Sequence, residues 1–163
     1  MTPPVRVLAP CPGRVIAMTD VPDPVFAEEM VGPGVAIEPA IEPGVEPDGG
    51  ATTVVSPIAG TVVKVMPHAF VVLGDGVGVL VHLGINTVRL GGTGFEVLTT
   101  QGAQVAAGDA MVRWDPSSIP TSHDGHELST VVPVVVMDAP KGSVASDAVG
   151  GSVAAGDLLF TTS

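Results

Sequence analysis

Short valine-rich runs, each cut off by glycine, proline, aspartate or asparagine, recur along the whole chain. No stretch carries the apolar period of a long amphipathic helix, and "VFAEEM" at 25–30 has room for only one or two turns. The candidate strands are 5–9, 14–18, 35–38, 53–57, 60–66, 69–73, 78–82, 111–114, 131–137 and 157–162. β-branched residues suit a pleated, half-buried surface, and Gly, Pro, Asp and Asn suit the turns between. So many short strands in 163 residues predict one all-β domain, residues 1–163, packed as a sandwich or closed as a barrel.

Two pairs of segments repeat. "APCPGRVI" at 9–16 echoes "SPIAGTVV" at 56–63, and "VAAGDAMV" at 105–112 echoes "VAAGDLLF" at 153–160. A Gly-Asp pair fits a tight turn feeding a strand, because glycine accepts positive φ and aspartate bonds the turn backbone. An internally duplicated β unit is the leading reading, and two independent uses of one turn the other. The polar stretches 38–51 and 117–128 read as surface loops.

Hydrophobic residues make up 45% of the chain and mean hydropathy is +0.51, yet no run approaches the roughly 18–20 apolar residues of a membrane span. The opening "MTPPVRVLAPCPG" has no long apolar core behind a basic cluster. The expectation is therefore no signal peptide, no direct membrane insertion and a cytoplasmic location. Seventeen acids against six bases give a net charge of −11, which argues against nucleic-acid binding by phosphate neutralisation. The charge either keeps an apolar protein dissolved or steers basic protein partners. The single cysteine, Cys11, has no CxxC or CxxH context and reads as structural.

The run "VMPHAFVVLGDGVGVLVHLGINTV" at 65–88 places two histidines among valines. "GDG" at 74–76 signals a hairpin, and a turn centred on Asp75 sets His68 directly opposite His82. Opposed residues have Cβ atoms roughly 4.5–5.5 Å apart, close enough for two imidazoles to share a ligand, a proton or a metal. A two-residue loop would instead shift the register and send the rings to opposite faces. A lone histidine on an apolar strand is ordinarily a packed residue bonded to a carbonyl. Two that meet beside Gly84, where backbone amides can approach a ligand, suit a phosphoryl relay. A neutral imidazole has a nucleophilic nitrogen near pH 7 and can hold phosphate as a phosphoramidate.

"VLVHLGINTVRLGGTGF" at 79–95 strongly resembles the active-site segment of the glucose-type enzyme IIA family of the bacterial phosphoenolpyruvate-dependent sugar phosphotransferase system. "DVPDPVFAEEMVGPGVAIEP" at 20–39, "SPIAGTVVKV" at 56–65, "PHAF" at 67–70, "GAQVAAGDAMVRWD" at 102–115 and, less sharply, "TVVPVVV" at 130–136 resemble the same family in the same order. The resemblance implies an antiparallel β-sandwich or barrel with short helical turns, of the duplicated hybrid-motif type. It implies that His82 is phosphorylated through Nε2 and that His68 supports transfer. The implied donor is the histidine-containing phosphocarrier protein, and the implied acceptor a cysteine on the enzyme IIB domain of a sugar permease. No cofactor is required, though zinc held by His68, His82 and a partner carboxylate is known in the family. Regulatory partners are further candidates. An apolar rim of Val25, Phe26, Met30, Val31, Phe70 and Leu80 is nominated as the docking surface, with part of that set expected to be core.

Some residues depart from the family pattern. Asn86 stands where aspartate is common, which changes the local repulsion toward a phosphoryl group. Met66 stands where a threonine would bond the supporting histidine, and the turn at 74–76 looks about one residue short. Other classes match the sequence less well. A biotinyl or lipoyl carrier needs a lysine at a hairpin tip, and neither Lys64 nor Lys141 fits. "SHDGHE" at 122–127 holds metal-ligand residue types at no standard spacing, and "GGTGF" at 91–95 lacks the lysine of a phosphate loop. A zinc-dependent hydrolase using the two histidines, and a regulatory binding protein of the same fold, are the alternatives to a phosphocarrier.

Overall fold

A computed structural model describes residues 5–28, 30–39, 52–74, 76–92, 94–116, 119, 122–123, 125–137, 139, 144, 146 and 148–162. Its strands are β1 (Val5–Leu8), β2 (Gly13–Ala17), β3 (Gly34–Pro39), β4 (Thr52–Val55), β5 (Gly60–Met66), β6 (Ala69–Gly74), β7 (Val77–His82) and β8 (Phe95–Val97). There follow β9 (Gln104–Val105), β10 (Ala110–Trp114), β11 (Ser122–His123), β12 (His126–Glu127), β13 (Val132–Met137), β14 (Ser152–Val153) and β15 (Leu158–Thr162). All ten expected strands are present, with ends moved by a residue or two. The additional strands β8, β9, β11, β12 and β14 are only two or three residues long, and their pairing depends on a partner that no local pattern announces. The one α-helix among the described residues, α1 (Pro24–Ala27), is a single turn. Asp23 caps it by accepting from the Val25 amide at 2.8 Å, and Pro24 takes the first position, where no amide hydrogen is needed.

Eight strands form one antiparallel sheet in the order β14-β2-β3-β13-β7-β6-β5-β9. Smaller sheets, β4-β10-β8 and β1-β15, pack on one of its faces, and β11-β12 is a separate hairpin. Val15, Ile37, Val62, Phe70, Val72, Val79, Val81 and Val134 point from the large sheet into the main core, where they meet Val7, Val54, Met111, Trp114 and Phe160. Successive side chains alternate between faces, so Leu80 and His82 point the other way. That second face carries a smaller core of Met18, Val21, Phe26, Ala36, Ile85, Val131 and Val135, roofed by the 18–27 segment.

The repeats are a structural duplication. Gly13 opens β2 and Gly60 opens β5 at matching places in their repeats. The Leu8 amide donates to Pro57 O at 2.9 Å, and the Val55 amide donates to Pro10 O at 2.9 Å; residue 8 corresponds to 55 and 10 to 57. The two bonds exchange under a local two-fold axis. The Gly-Asp turns match as well: Asp109 accepts from the Ala106 amide at 2.8 Å, and Asp157 from the Ala154 amide at 2.9 Å. The Gly108 amide reaches Ser56 O and the Gly156 amide reaches Ala9 O, each at 2.9 Å.

One register expectation is corrected. Gly74 pairs with Val77, so the turn is a two-residue loop and Asp75 itself lies outside the described residues. His82 therefore faces Ala69, one residue away from His68. The segment 122–127, expected as a loop, contains the β11-β12 hairpin, in which His123 pairs with His126. Of the loop at 38–51, β3 extends through Pro39 and residues 40–51 lie outside the described residues.

Candidate functional site

His82 ends β7 and His68 lies in the two-residue turn, Pro67–His68, that joins β5 to β6 across the Met66–Ala69 pair. The ladder between β6 and β7 continues past its last named pair, with the Leu83 amide donating to His68 O at 2.7 Å. Strand parity alone would send the His68 ring to the core face with Leu83. The turn breaks that parity, and the rings meet with centroids 5.2 Å apart and planes at 73°. The expected meeting of the two histidines is found, by a different route from the one the register suggested.

The His82 Nδ1–H donates to Gly84 O. This selects the tautomer: Nδ1 carries the proton, and Nε2 carries the lone pair. Gly84 makes the arrangement possible. Its φ is +85°, and a Cβ there would lie 2.5 Å from Thr87 Cγ2 and 2.6 Å from Ser129 O. The room at Gly84 was expected to admit a ligand to backbone amides; its observed service is to turn a carbonyl back toward His82. Thr87, buried, donates from Oγ1 to Leu83 O at 2.6 Å and closes the loop. Phe26 packs against the His82 ring at a centroid distance of 5.2 Å.

Burial holds the His82 pKa below the ordinary histidine value, against the opposing effects of the Gly84 hydrogen bond and the Asp23 charge. Burial likewise lowers His68, and the neighbouring His82 lowers it further. Both rings are thus neutral at neutral pH, the form in which Nε2 is a nucleophile.

The nominated rim divides by strand parity and packing. Val25 and Met30 are 44% and 66% exposed, and Val31 and Leu80 are half-buried around the smaller core. Phe70 is withdrawn: it pairs with Val81, points into the main core and is 0% exposed. Phe26, 7% exposed, supports the His82 ring from beneath the surface. Val88, 56% exposed in the 3-10 turn Thr87–Leu90, directly follows the buried Thr87 that closes the loop after His82, and was not nominated. Its signal was an apolar residue in the polar turn "NTVRL", six positions after His82.

The remaining candidates are placed as follows. Cys11 is buried, and burial pushes its thiol up to about 12, so no thiolate nucleophile forms there near neutral pH. Lys64 sits mid-strand opposite Val71 rather than at a hairpin tip, and Lys141 lies outside the described residues. In "GGTGF", Gly91 and Gly92 are in a turn with positive φ. Among the described residues no three His, Cys, Asp or Glu side chains cluster as a metal site. His68 and His82 thus present two ring ligands, and a metal there needs the rest of its ligands from outside that set. Asp124 of "SHDGHE" lies outside the described residues. No helix among the described residues is long and apolar enough to cross a membrane.

The family described as phosphoenolpyruvate-dependent sugar phosphotransferase system, EIIA 1, matches residues 5–141. The glucose-specific EIIA component of Staphylococcus aureus is 38% identical over 135 residues, covering 81% of this chain and 73% of that protein. The glucose-specific EIIBCA component of Corynebacterium glutamicum is 38% identical over 140 residues, and the glucose-specific EIICBA component of Streptococcus pneumoniae 42% over 132. These cover 84% and 79% of this chain, which spans only 19% and 16% of those two longer proteins. Glucose permease IIA from Mycoplasma capricolum superposes with a TM-score of 0.79 at 33% identity, covering 98% of this chain and 96% of that one. This chain belongs to the phosphoenolpyruvate-dependent sugar phosphotransferase system EIIA 1 family.

Proposed function

We propose that residues 1–163 act as one phosphocarrier unit, with His82 accepting a phosphoryl group from the histidine-containing phosphocarrier protein and passing it to the cysteine of an enzyme IIB domain. The observation that carries the reading is the Nδ1–Gly84 bond, which leaves Nε2 as the free nucleophilic nitrogen beside His68. In the first step Nε2 attacks phosphorus, the P–Nε2 bond forms, and the donor's P–N bond breaks. One P–N bond replaces another, so positioning and charge stabilisation are the protein's task. Positive charge develops on the His82 ring as Nε2 bonds. Gly84 O, on Nδ1–H, and the Asp23 charge oppose its cost. The His68 ring N–H donates to a phosphoryl oxygen. In the second step a IIB thiolate attacks, the P–S bond forms, the P–Nε2 bond breaks, and His82 returns neutral.

The exposed Val25, Met30 and Val88 supply an apolar docking rim. The fused B, C and A components in the longer relatives support a IIB partner. His68 and His82 would hold zinc at such an interface if a partner carboxylate completed the site, where the ion would cross-link the two proteins. A zinc-dependent hydrolase requires a third protein ligand, and none joins the two histidines among the described residues.

Incubation with phosphoenolpyruvate, enzyme I and the phosphocarrier should leave acid-labile, base-stable phosphate on His82. His82→Ala should take up none. His68→Gln should accept phosphate but pass it to a IIB acceptor at least ten times more slowly, on the order expected for loss of a charge-assisted hydrogen bond in the transfer state. Phosphate on another residue, or normal onward transfer by His68→Gln, would overturn these roles.

A further inference from the structure

The carbonyl that orients His82 belongs to a loop, and a loop carbonyl is only as well placed as the loop is anchored. Residues 83–87 are held at several points. Ile85 and Ser129 form an isolated antiparallel bridge, with amide-to-carbonyl distances of 2.9 and 3.3 Å. Thr87 bonds Leu83 within the loop. The Leu83 amide donates to His68 O, and a further anchor is a side chain. Asn86 adopts the left-handed region, φ 63° and ψ 10°, and is the one non-glycine among the described residues with positive φ. From there its Nδ2 donates to Glu127 O at 2.7 Å, reaching the β11-β12 hairpin far along the chain. Its side chain caps no helix, so this bond is its structural use.

An aspartate would tolerate the same left-handed backbone. It has no N–H, however, and would set a carboxylate oxygen against the Glu127 carbonyl oxygen. The amide is therefore specific chemistry at this position: it both permits the backbone conformation and supplies the donor. We propose that Asn86 is a positioning residue for His82, tethering the loop to the hairpin so that Gly84 O stays on Nδ1 and the Nε2 lone pair stays presented. The kinetic consequence rests on the phosphocarrier reading; the effect on the tautomer does not.

Two variants separate the contributions. Asn86→Gly keeps easy access to the left-handed region and removes the tether without adding charge. Asn86→Asp keeps size and backbone preference and replaces the donor with a charged acceptor that repels Glu127 O; Asn86→Gly is the control for that added charge. Ring 15N shifts of His82 in the isolated protein report the tautomer directly. The native protein should show Nδ1–H alone, and both variants should show a second population protonated at Nε2. In the transfer assay both should lose about tenfold in turnover, as for one hydrogen bond, with the KM for the phosphocarrier unchanged. If Asn86→Gly fails to fold, Asn86→Asp carries the test, and thermal unfolding identifies that case. A lower melting temperature with an unaltered His82 tautomer would mean that Asn86 is merely structural, and would overturn the proposal. Wild-type protein that takes up no phosphate while the variants still shift the tautomer would overturn the phosphocarrier reading and leave the positioning role standing.

Discussion

A histidine kept neutral in the folded protein but free to charge in the unfolded chain makes stability depend on pH. His68 and His82 both have pKa values below the ordinary 6.5 in the folded state, chiefly through burial. Between that value and the folded values, the unfolded chain binds more protons than the native one. Their contribution is therefore fully present above about 6.5 and is lost as pH falls below it. Urea midpoints measured from pH 8 to pH 5 should fall in the acidic part of that range, and His82→Gln, which cannot charge, should flatten the fall. An equal slope in the variant would show that His82 is not held neutral by the fold. At this scale the sequence was informative about identity and less so about orientation. Both histidines and Gly84 stood out from the residues alone. That Gly84 offers its carbonyl to Nδ1 follows from a positive φ beside Thr87 and Ser129, and those neighbours come together only in the folded chain.

Parity governs the strands, and it sorts core from rim. Phe70 and Val81 oppose one another and share the main core, whereas Leu80 and His82 share the outer face. Phe70→Ala should cost about 3–5 kcal/mol of stability, the usual range for a buried phenyl ring. Val25→Ser and Met30→Ser should change stability by less than about 0.5 kcal/mol, as surface substitutions do, and raise the KM for protein partners. Chemical denaturation and partner-dependent transfer kinetics separate the two outcomes. Pro133 shows how a strand accommodates a residue that its interior should exclude. In β13 the ladder to β7 begins only at Val134, so on that side Pro133 has no pair to break. Strand existence was legible from valine runs, and their ends from glycine and proline. The His68–His82 register was not, because a two-residue and a three-residue turn differ by one position and the turn residues accommodate both.

The whole molecule is built twice over the same turn. Gly108 and Gly156 have φ of +94° and +92°, and a Cβ at either would meet nothing within 4 Å. Alanine at each should therefore cost only its backbone strain, about 1–2 kcal/mol, and the two costs should match. Urea unfolding of the single variants measures this; a large cost at one and none at the other would show that the duplicated turns are not equivalent in use. The repeated segments made the duplication readable in advance. The local two-fold axis through the Leu8–Pro57 and Val55–Pro10 bonds was not readable, since nothing in either repeat states that it pairs with the other.

The chain's own residues determined an all-β fold, its duplicated turns, and two histidines whose imidazoles suit phosphoryl chemistry, because strand propensity, turn chemistry and ring basicity are local properties. Only the tertiary structure decided which way each ring faces, which nitrogen keeps its proton and which apolar residues meet solvent. Those depend on contacts between segments far apart in sequence: the Pro67–His68 turn against β7, and the 127–129 segment against the loop that carries Gly84.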